Sequence, residues 1–158
     1  MIYGSHTRVL AALGGLRPVS VLELGGGRHS TRLFLSKAVF PALEQLVTVE
    51  QDPHWRSLVE SGDPRQQVVD RCDSLDFDLI FIDDQITTEA RVLTIEKVAG
   101  QRPNAVVVIH DFNKPEYQQA AKFDHQVSIP TRFPWTGVCW NEDSRYRGSR
   151  VRGLLARA

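Results

Sequence analysis

The sequence predicts an α/β fold in which a mainly parallel sheet carries helices on both faces and ends in an antiparallel C-terminal edge. Three observations predict it. Short runs of branched apolar residues alternate with segments of helical periodicity, glycines and prolines separate these segments, and polar residues follow the apolar runs. Strands that alternate with helices imply right-handed crossovers, and therefore parallel strands.

The composition is that of one globular domain spanning residues 1–158. Hydrophobic residues make up 42% of the chain and charged residues 24%, which is ordinary for a folded protein. The 19 basic residues balance the 19 acidic ones. This balance excludes a bulk electric field that would make nucleic acid or an anionic membrane the main partner.

The cysteines and the N-terminus point to a cytoplasmic protein. Cys72 and Cys139 lie far apart and match no metal-ligand spacing, which favours two thiols in a reducing compartment. No segment is long and apolar enough to span a bilayer, so we expect no membrane partner. The stretch from Met1 to Leu16 lacks the basic start and apolar centre of a signal peptide.

The first two thirds of the chain alternate between short strands and helices. Five apolar runs predict strands at 19–24, 45–49, 67–70, 77–82 and 105–109. Capping residues, glycines and prolines predict helices from Ser5 to about Leu13, Ser30 to about Val39, Pro53 to about Ser61, and Thr87 or Thr88 to about Ala99. Too few residues separate the third and fourth strands for a crossover helix. We therefore expect a trimmed fold that lacks a helix between these two strands.

The pattern changes after Asp111. Residues 115–122 predict one short helix, and the runs 126–129 and 137–140 predict two strands that pair antiparallel at the sheet edge. Residues 151–156 predict a last strand or a tail.

A glycine loop after the first strand is the strongest motif. Gly25, Gly26 and Gly27 separate that strand from a helix that Ser30 or its neighbour caps. Glycines let the backbone approach a ligand closely, and the helix adds free N–H groups at the same place. Glu23 is a carboxylate in a strand that we expect to be buried on both faces. Burial of a carboxylate is costly unless it is paired, so we predict that Glu23 points at the loop.

Acidic or polar residues stand at the carboxyl end of every strand of the predicted parallel sheet. Ligands of open α/β sheets bind at these ends. Single members such as Asp52, Asp73 or Asp84 are typical helix caps or turn residues, but the array as a whole favours a site. The candidates are Glu23 with the glycines, Glu50 and Asp52, Asp70 or Asp73, Asp83 and Asp84, and His110 with Asp111.

The loop and the acids favour S-adenosylmethionine over NAD as the cofactor. An acidic side chain at Glu50 suits the hydroxyls of a ribose. The loop lacks the third glycine of the dinucleotide fingerprint, and Glu23 would repel a pyrophosphate but attract an ammonium group. An NAD-binding oxidoreductase and a non-catalytic scaffold that binds the cofactor are the alternatives.

The motifs together resemble the class I S-adenosylmethionine-dependent methyltransferases. The residues that carry this resemblance are Glu23-Leu-Gly-Gly-Gly27, Glu50, the run ending in Asp83, and Val106-Val-Val-Ile-His-Asp111. Segments 26–31, 48–52 with Trp55, and 110–117 further resemble a bacterial branch of small members. The resemblance covers about residues 19–117 and implies a trimmed Rossmann-like methyltransferase fold, with methyl transfer to an oxygen or nitrogen nucleophile.

The resemblance also implies residue roles. Glu23 and Gly25–Gly27 would hold the methionine part of the cofactor and Glu50 its ribose. Asp73 with Ser74 would contact the adenine edge, and Asp83 would lie beside the sulfonium. The sequence departs from the family in two ways: His29 replaces the last glycine of the usual loop, and the helix before the fourth strand is missing.

Catalysis by methyl transfer requires in-line placement and, for a protonated nucleophile, a base. His110 and Asp111 are the best candidates, and the alternative for His110 is a supporting histidine behind the site. Related O-methyltransferases resemble this chain at Asp83 and Asp111, where they hold a divalent metal, and Asn113 would suit magnesium. Phe112 interrupts the adjacent Asp-Asn pair of that family, so a site without metal is favoured, with a divalent metal at Asp83, Asp111 and Asn113 as the alternative.

The partner predictions concern the acceptor, which the sequence does not identify. The chain has no obvious lid, so we expect either a large acceptor or a homodimer that completes the pocket. Arg28 and His29 either contact the substrate or solvate the loop. A solvated tail or a contact with an anionic substrate or RNA would explain the C-terminal arginines, which are Arg145, Arg147, Arg150, Arg152 and Arg157.

Overall fold

Seven strands form one sheet in a computed structural model that describes residues 5–84, 87–130 and 133–158. In chain order they are β1 (Ser20–Leu24), β2 (Gln45–Val49), β3 (Gln66–Val69), β4 (Leu79–Ile82), β5 (Val106–His110), β6 (His125–Ile129) and β7 (Thr136–Trp140). The spatial order is β3-β2-β1-β4-β5-β7-β6. The first five strands are parallel, and β7 runs antiparallel to both β5 and β6. The predicted fold class is confirmed, including its antiparallel C-terminal edge.

Six α-helices occur in the described ranges. They are α1 (Thr7–Leu13), α2 (Arg28–Leu35), α3 (Pro53–Val59), α4 (Thr88–Gly100), α5 (Pro115–Ala120) and α6 (Gly148–Leu155). None of them has the length and apolar character that crossing a bilayer requires. Residues 70–78 connect β3 to β4 without a helix, as the short spacing predicts.

The core has two layers because the strands at the centre of the sheet are buried on both faces. On one face, the apolar sides of α1, α2 and α6 pack on the sheet around Leu10, Phe34 and Val151. On the other face, α4 and α5 pack around Ile95 and Tyr117. The four residues Leu79–Ile82 of β4 are 0–1% exposed, since side chains of both orientations enter a core.

Two predicted helix caps are wrong because their hydroxyls bond elsewhere. The helix α1 begins at Thr7 with no side-chain cap, and the Ser5 hydroxyl instead lies 3.0 Å from the His110 ring. The helix α2 begins at Arg28, which places Ser30 inside the first turn rather than at its cap. By contrast, Thr87 caps α4 as predicted and accepts from the amide of Ala90.

The last predicted element is also wrong, since residues 148–155 form the helix α6 instead of a strand or a tail. Val151 and Leu155 lie one helical turn apart and are both buried on the α1 face of the sheet. Arg145 pairs with Asp76 and Asp78, and the Arg152 guanidinium lies 5.3 Å from the centre of the Trp140 ring. The C-terminal segment is therefore part of the fold.

The edge between β5 and β7 requires a glycine, which gives a direct test of this fold. A Cβ on Gly137 would overlap the ring of Phe112, which is 1% exposed. We predict that Gly137→Ala lowers the free energy of unfolding by about 1–3 kcal/mol, because overpacking forces the ring or the strand to move. Urea unfolding followed by circular dichroism measures the change.

The matched control is Gly153→Ala in α6. A Cβ there has nothing within 4 Å, and the backbone is helical. This variant should gain about 0.5–1 kcal/mol from the loss of chain entropy in the unfolded state. A Gly137→Ala variant as stable as the wild type would contradict the packing of Phe112 against β7.

Candidate functional site

The carboxyl ends of β1, β2, β3 and β4 are held together by main-chain hydrogen bonds just beyond the strands. The Gly25 amide donates to the carbonyl of Val49 at 3.0 Å, and the Asp83 amide donates to the carbonyl of Leu24 at 2.8 Å. The Glu50 amide donates to the carbonyl of Val69 at 2.9 Å. The strand-end acids predicted from the sequence therefore start from fixed main-chain positions along one edge of the sheet.

The glycine loop turns sharply over the end of β4. Gly25 has a φ of +87°, and a Cβ there would lie 2.5 Å from the carbonyl oxygen of Asp83. Only glycine fits such a backbone at such a close approach. Gly26 lies against Val59, and Gly27 precedes α2 without a side-chain cap. The N–H groups of the first turn of α2 are thus not covered by a capping side chain.

Glu23 lies beneath this loop and is completely buried. Its carboxylate accepts hydrogen bonds from the hydroxyls of Ser30 at 2.5 Å, Thr31 at 2.7 Å and Thr48 at 2.9 Å. Burial raises the pKa of Glu23 to about 7, although the three hydroxyl donors act in the opposite direction. Glu23 thus meets the start of α2 as predicted, but its oxygens contact hydroxyls rather than open space above the loop.

Sequence reasoning missed the three hydroxyl donors. Thr48 is in β2 at the position paired with Glu23, and both residues are buried. Since neighbouring parallel strands in register direct paired residues to the same face, a threonine opposite a buried glutamate is a readable signal. A serine and a threonine at the start of a helix are typical of a cap, and this pattern does not reveal their hydrogen bonds to Glu23 in β1.

His110 is held from both sides at the end of β5. Its Nδ1 lies 3.0 Å from Oδ1 of Asp83 and 3.5 Å from Oδ1 of Asp111, and its Nε2 lies 3.0 Å from the Ser5 hydroxyl. A carboxylate only accepts hydrogen bonds, so Nδ1 carries a proton and donates a hydrogen bond to Asp83. Asp111 has a φ of +59°, in the left-handed region.

Arg91 joins the two carboxylates and is the main residue that the sequence analysis missed. Its guanidinium lies 3.2 Å from Asp83 and 3.0 Å from Asp111, and its Nε donates to the carbonyl of Asp84 at 2.6 Å. The side chain is only 7% exposed. Helical periodicity contains the missing signal, because Arg91 precedes the buried Ile95 by one turn and thus lies on the inward face of α4.

The residues of the alternative magnesium site, Asp83, Asp111 and Asn113, do not fit that ion in this arrangement. Arg91 binds both carboxylates, Asp83 and Asp111, and places a positive charge between them. The side-chain oxygen of Asn113 accepts from the amide of Trp135 at 3.2 Å. Magnesium needs several oxygen ligands in an octahedral arrangement, and Asp111 and Asn113 already bond to Arg91 and to the Trp135 amide.

His6 lies next to His110 and is 5% exposed. The two ring centres are 4.8 Å apart, and the His6 ring is also 4.9 Å from that of Phe81. Neither ring nitrogen of His6 has a hydrogen-bond partner among the described residues. Burial, together with the nearby His110, lowers the pKa of His6 to about 4, so the ring is neutral at pH 7.

Glu50, at the end of β2, is half-buried, and its Oε1 accepts from the amide of Asp52 at 3.0 Å. Asp52 itself caps α3, which is the ordinary role that the sequence also allowed. Asp73 and Ser74 lie on the exposed connection between β3 and β4. The Arg71 guanidinium, 2.7 Å from Asp73, lowers the pKa of that carboxyl. Glu50 therefore belongs to the strand-end cluster, whereas Asp73 and Ser74 are surface residues.

Arg28 lines a cavity of about 290 Å³ between α2 and α3, together with Arg32, Glu60 and others. His29, beside it, is exposed at the start of α2. These positions place both residues on the α2 side of the glycine loop.

The buried carboxylate of Glu23 predicts a pH-dependent stability. The folded state holds the Glu23 proton more tightly than the unfolded state, so stability from this group is full below about pH 4.5 and is lost as pH rises through about 7. We predict that the wild type loses about 2–3 kcal/mol of unfolding free energy relative to Glu23→Gln across that range. Urea unfolding of both proteins at several pH values measures the difference.

The comparison isolates Glu23 because both proteins share His6. The lowered pKa of His6 acts in the opposite direction, since stability from a neutral buried histidine is lost as pH falls from about 6.5 to about 4. Glu44→Gln, an exposed glutamate before β2, is the control and should track the wild type. A constant difference between wild type and Glu23→Gln from pH 5 to pH 8 would rule out the raised pKa.

Solved structures of methyltransferases are similar to this fold, and three of them show the extent of the likeness. The SAH-bound methyltransferase PaMTH1 from Podospora anserina matches with a TM-score of 0.62 and 13% identity, over 85% of this chain and 76% of that one. The O-methyltransferase TomG from Streptomyces achromogenes in complex with SAM gives 0.56 and 22%, over 89% and 82%. The O-methyltransferase from Bacillus cereus in complex with SAH gives 0.58 and 15%, over 87% and 81%.

No protein-family model matches the chain, and no curated protein matches its sequence. The likeness extends over most of each solved chain at low identity, so it concerns the path of the backbone. The protein has the fold of the class I S-adenosylmethionine-dependent methyltransferases, as the sequence resemblance predicts.

Proposed function

We propose that the protein transfers the methyl group of S-adenosylmethionine to an oxygen or nitrogen nucleophile. The observation that supports this function best is the row of acids at the strand ends of a fold shared with methyltransferases solved with SAM or SAH. Ligands of open α/β sheets bind at this end of the strands. The bound cofactor supplies an electrophilic methyl group, and the protein has to hold it in line with the acceptor.

The glycine loop and the start of α2 fit the methionine part of the cofactor. Gly25–Gly27 bring the backbone close, and the uncapped first turn of α2 offers N–H groups to a carboxylate. Glu23 supports the binding of the methionine part indirectly, from beneath the loop, because its carboxylate oxygens already accept hydrogen bonds from Ser30 and Thr31. Its role is to hold the loop and the helix start in register with β1.

The remaining acids follow the order of the strands. Glu50, half-buried at the end of β2, accepts the ribose hydroxyls. Asp73 and Ser74 contact the adenine edge. To make this contact, Asp73 gives up part of its ion pair with Arg71. Asp83, at the end of β4, lies beside the sulfonium and holds His110.

His110 is the proposed base and Asp111 its partner. Asp83 fixes the ring through Nδ1, which leaves Nε2 to accept a proton from the methyl acceptor in the place that the Ser5 hydroxyl takes here. Asp111, 3.5 Å from the ring, stabilises the imidazolium that forms. Arg91 acts as a positioning residue because it holds both carboxylates.

A large methyl acceptor or a second copy of the chain is proposed to complete the part of the pocket where the acceptor binds. The C-terminal arginines support an RNA or anionic partner only weakly, since several have intramolecular contacts. Arg145 binds Asp76 and Asp78, Arg150 donates to the carbonyl of Gly15, and Arg152 lies over Trp140.

Calorimetry with S-adenosylmethionine, S-adenosylhomocysteine and NAD tests the cofactor. We predict binding of the first two and none of NAD. Glu50→Gln should weaken binding about tenfold or more, because it removes a charged acceptor for the ribose hydroxyls. Glu44→Gln, at the opposite end of the same strand, should bind as the wild type does. Absence of binding to either methionine cofactor would refute the proposed function.

Methyl transfer from a radiolabelled cofactor to a panel of phenols and amines tests the base. His110→Gln should lose at least about a hundredfold in turnover, because general-base catalysis contributes that much or more. It should bind S-adenosylhomocysteine within about threefold of the wild type, since it leaves the glycine loop intact. Undiminished turnover in this variant would remove His110 from the mechanism.

A further inference from the structure

The His6 side chain is unexplained by the proposed function. It is a neutral imidazole, 5% exposed, with no hydrogen-bond partner for either nitrogen among the described residues. Buried polar groups in folded proteins are almost always hydrogen-bonded. Two buried ring nitrogens without a partner therefore suggest that a ligand binds to them. His6 immediately precedes α1, whose buried residues anchor it to the sheet, and its ring is directed toward His110 and Phe81.

Two further metal-binding groups face His6. One ring nitrogen of His6, one of His110 and one carboxylate oxygen of Asp83 all lie within 4.8 Å of one another. The three residues come from distant parts of the sequence and meet because the segment before α1 contacts Phe81 of β4 and His110 of β5. Their convergence is therefore a property of the fold rather than of a local turn.

We infer that His6, Asp83 and His110 form a binding site for a divalent transition-metal ion of the zinc class. The site uses His110 and Asp83, which the proposed function assigns to proton transfer, so a bound metal ion and His110 as the base exclude each other. The inference itself rests on the geometry of the three ligands and not on methyl transfer. The site also differs from the magnesium site that the sequence resemblance suggested, because it uses His6 and neither Asp111 nor Asn113.

The donor set selects the kind of ion. Two imidazoles and one carboxylate suit zinc, iron or cobalt, whereas magnesium requires oxygen ligands. Three protein ligands leave a fourth position open, which is the arrangement of catalytic rather than structural zinc sites. Ligand atoms around one zinc ion are roughly 3.4 Å apart, so the three side chains must close by about 1 Å on binding.

The surroundings support such a closure. On metal binding through Nδ1, the proton of His110 moves to Nε2, which then donates a hydrogen bond to the Ser5 hydroxyl, while Arg91 holds Asp83. Contacts of this type orient metal ligands in proteins. Asp83 and Asp111 carry one negative charge more than Arg91 neutralises. The cluster thus keeps a net negative charge that favours a cation, while His6 offers nitrogens that bind no competing group among the described residues.

Titration of the purified, chelator-treated full-length protein with Co²⁺ and Zn²⁺ tests the site. We expect one ion per chain, visible absorption bands from bound Co²⁺, and displacement of Co²⁺ by Zn²⁺ but not by Mg²⁺. His6→Gln and His110→Gln should each weaken binding by at least about tenfold. His54→Gln, an exposed histidine on α3, should bind as the wild type does.

Circular dichroism and urea unfolding of each variant separate loss of the site from loss of the fold. If His6→Gln proves unstable, Asp83→Asn provides the second test, with the same tenfold expectation. Wild-type protein that binds no Zn²⁺, or a folded His6→Gln variant that binds it as tightly as the wild type, overturns the inference. Calorimetry with S-adenosylmethionine is a separate measurement, so failure of either proposal is distinguishable from failure of the other.

Discussion

The buried carboxylate of Glu23 is the interaction on which the shape of the loop depends. One strand residue accepts hydroxyl hydrogen bonds from the start of α2 and from the neighbouring strand β2, so it ties three elements together at a single point. Such a group is favourable only when all of its partners are present, since each missing donor would leave a buried oxygen unsatisfied. The turn at Gly25 then follows, because the chain must pass directly from this anchored strand over the end of β4.

A second polar cluster, at the ends of β4 and β5, is held together by ion pairs rather than by hydroxyl hydrogen bonds. Arg91 lies between Asp83 and Asp111, and the same carboxylates fix His110. The cluster places an oriented imidazole and a buried guanidinium at the strand ends, where the fold allows a ligand to bind. Glu23 is buried beneath the loop, whereas this cluster presents charged and basic groups at the edge of the sheet.

The sequence was sufficient for the strands because their apolar runs are short, branched and separated by glycine and proline. It also predicted the trimmed connection between β3 and β4, since a crossover helix cannot fit in that length. It failed at α6 because only two residues of that helix, Val151 and Leu155, are buried, and a run of arginines obscured their helical spacing. It failed at His6, Arg91 and Thr48 because a side chain distant in sequence gives each of them its role.

The connection without a helix has a consequence for how the molecule responds to its solvent. Residues 70–78 lack the packed helix that would otherwise hold them, and Arg145 instead clamps this segment through Asp76 and Asp78. Partly exposed ion pairs are screened by salt, whereas apolar packing is not. We therefore expect ionic strength to weaken the exposed Arg145–Asp76 pair beside the proposed adenine pocket, while the buried Phe77 and Asp78 keep the segment on the core.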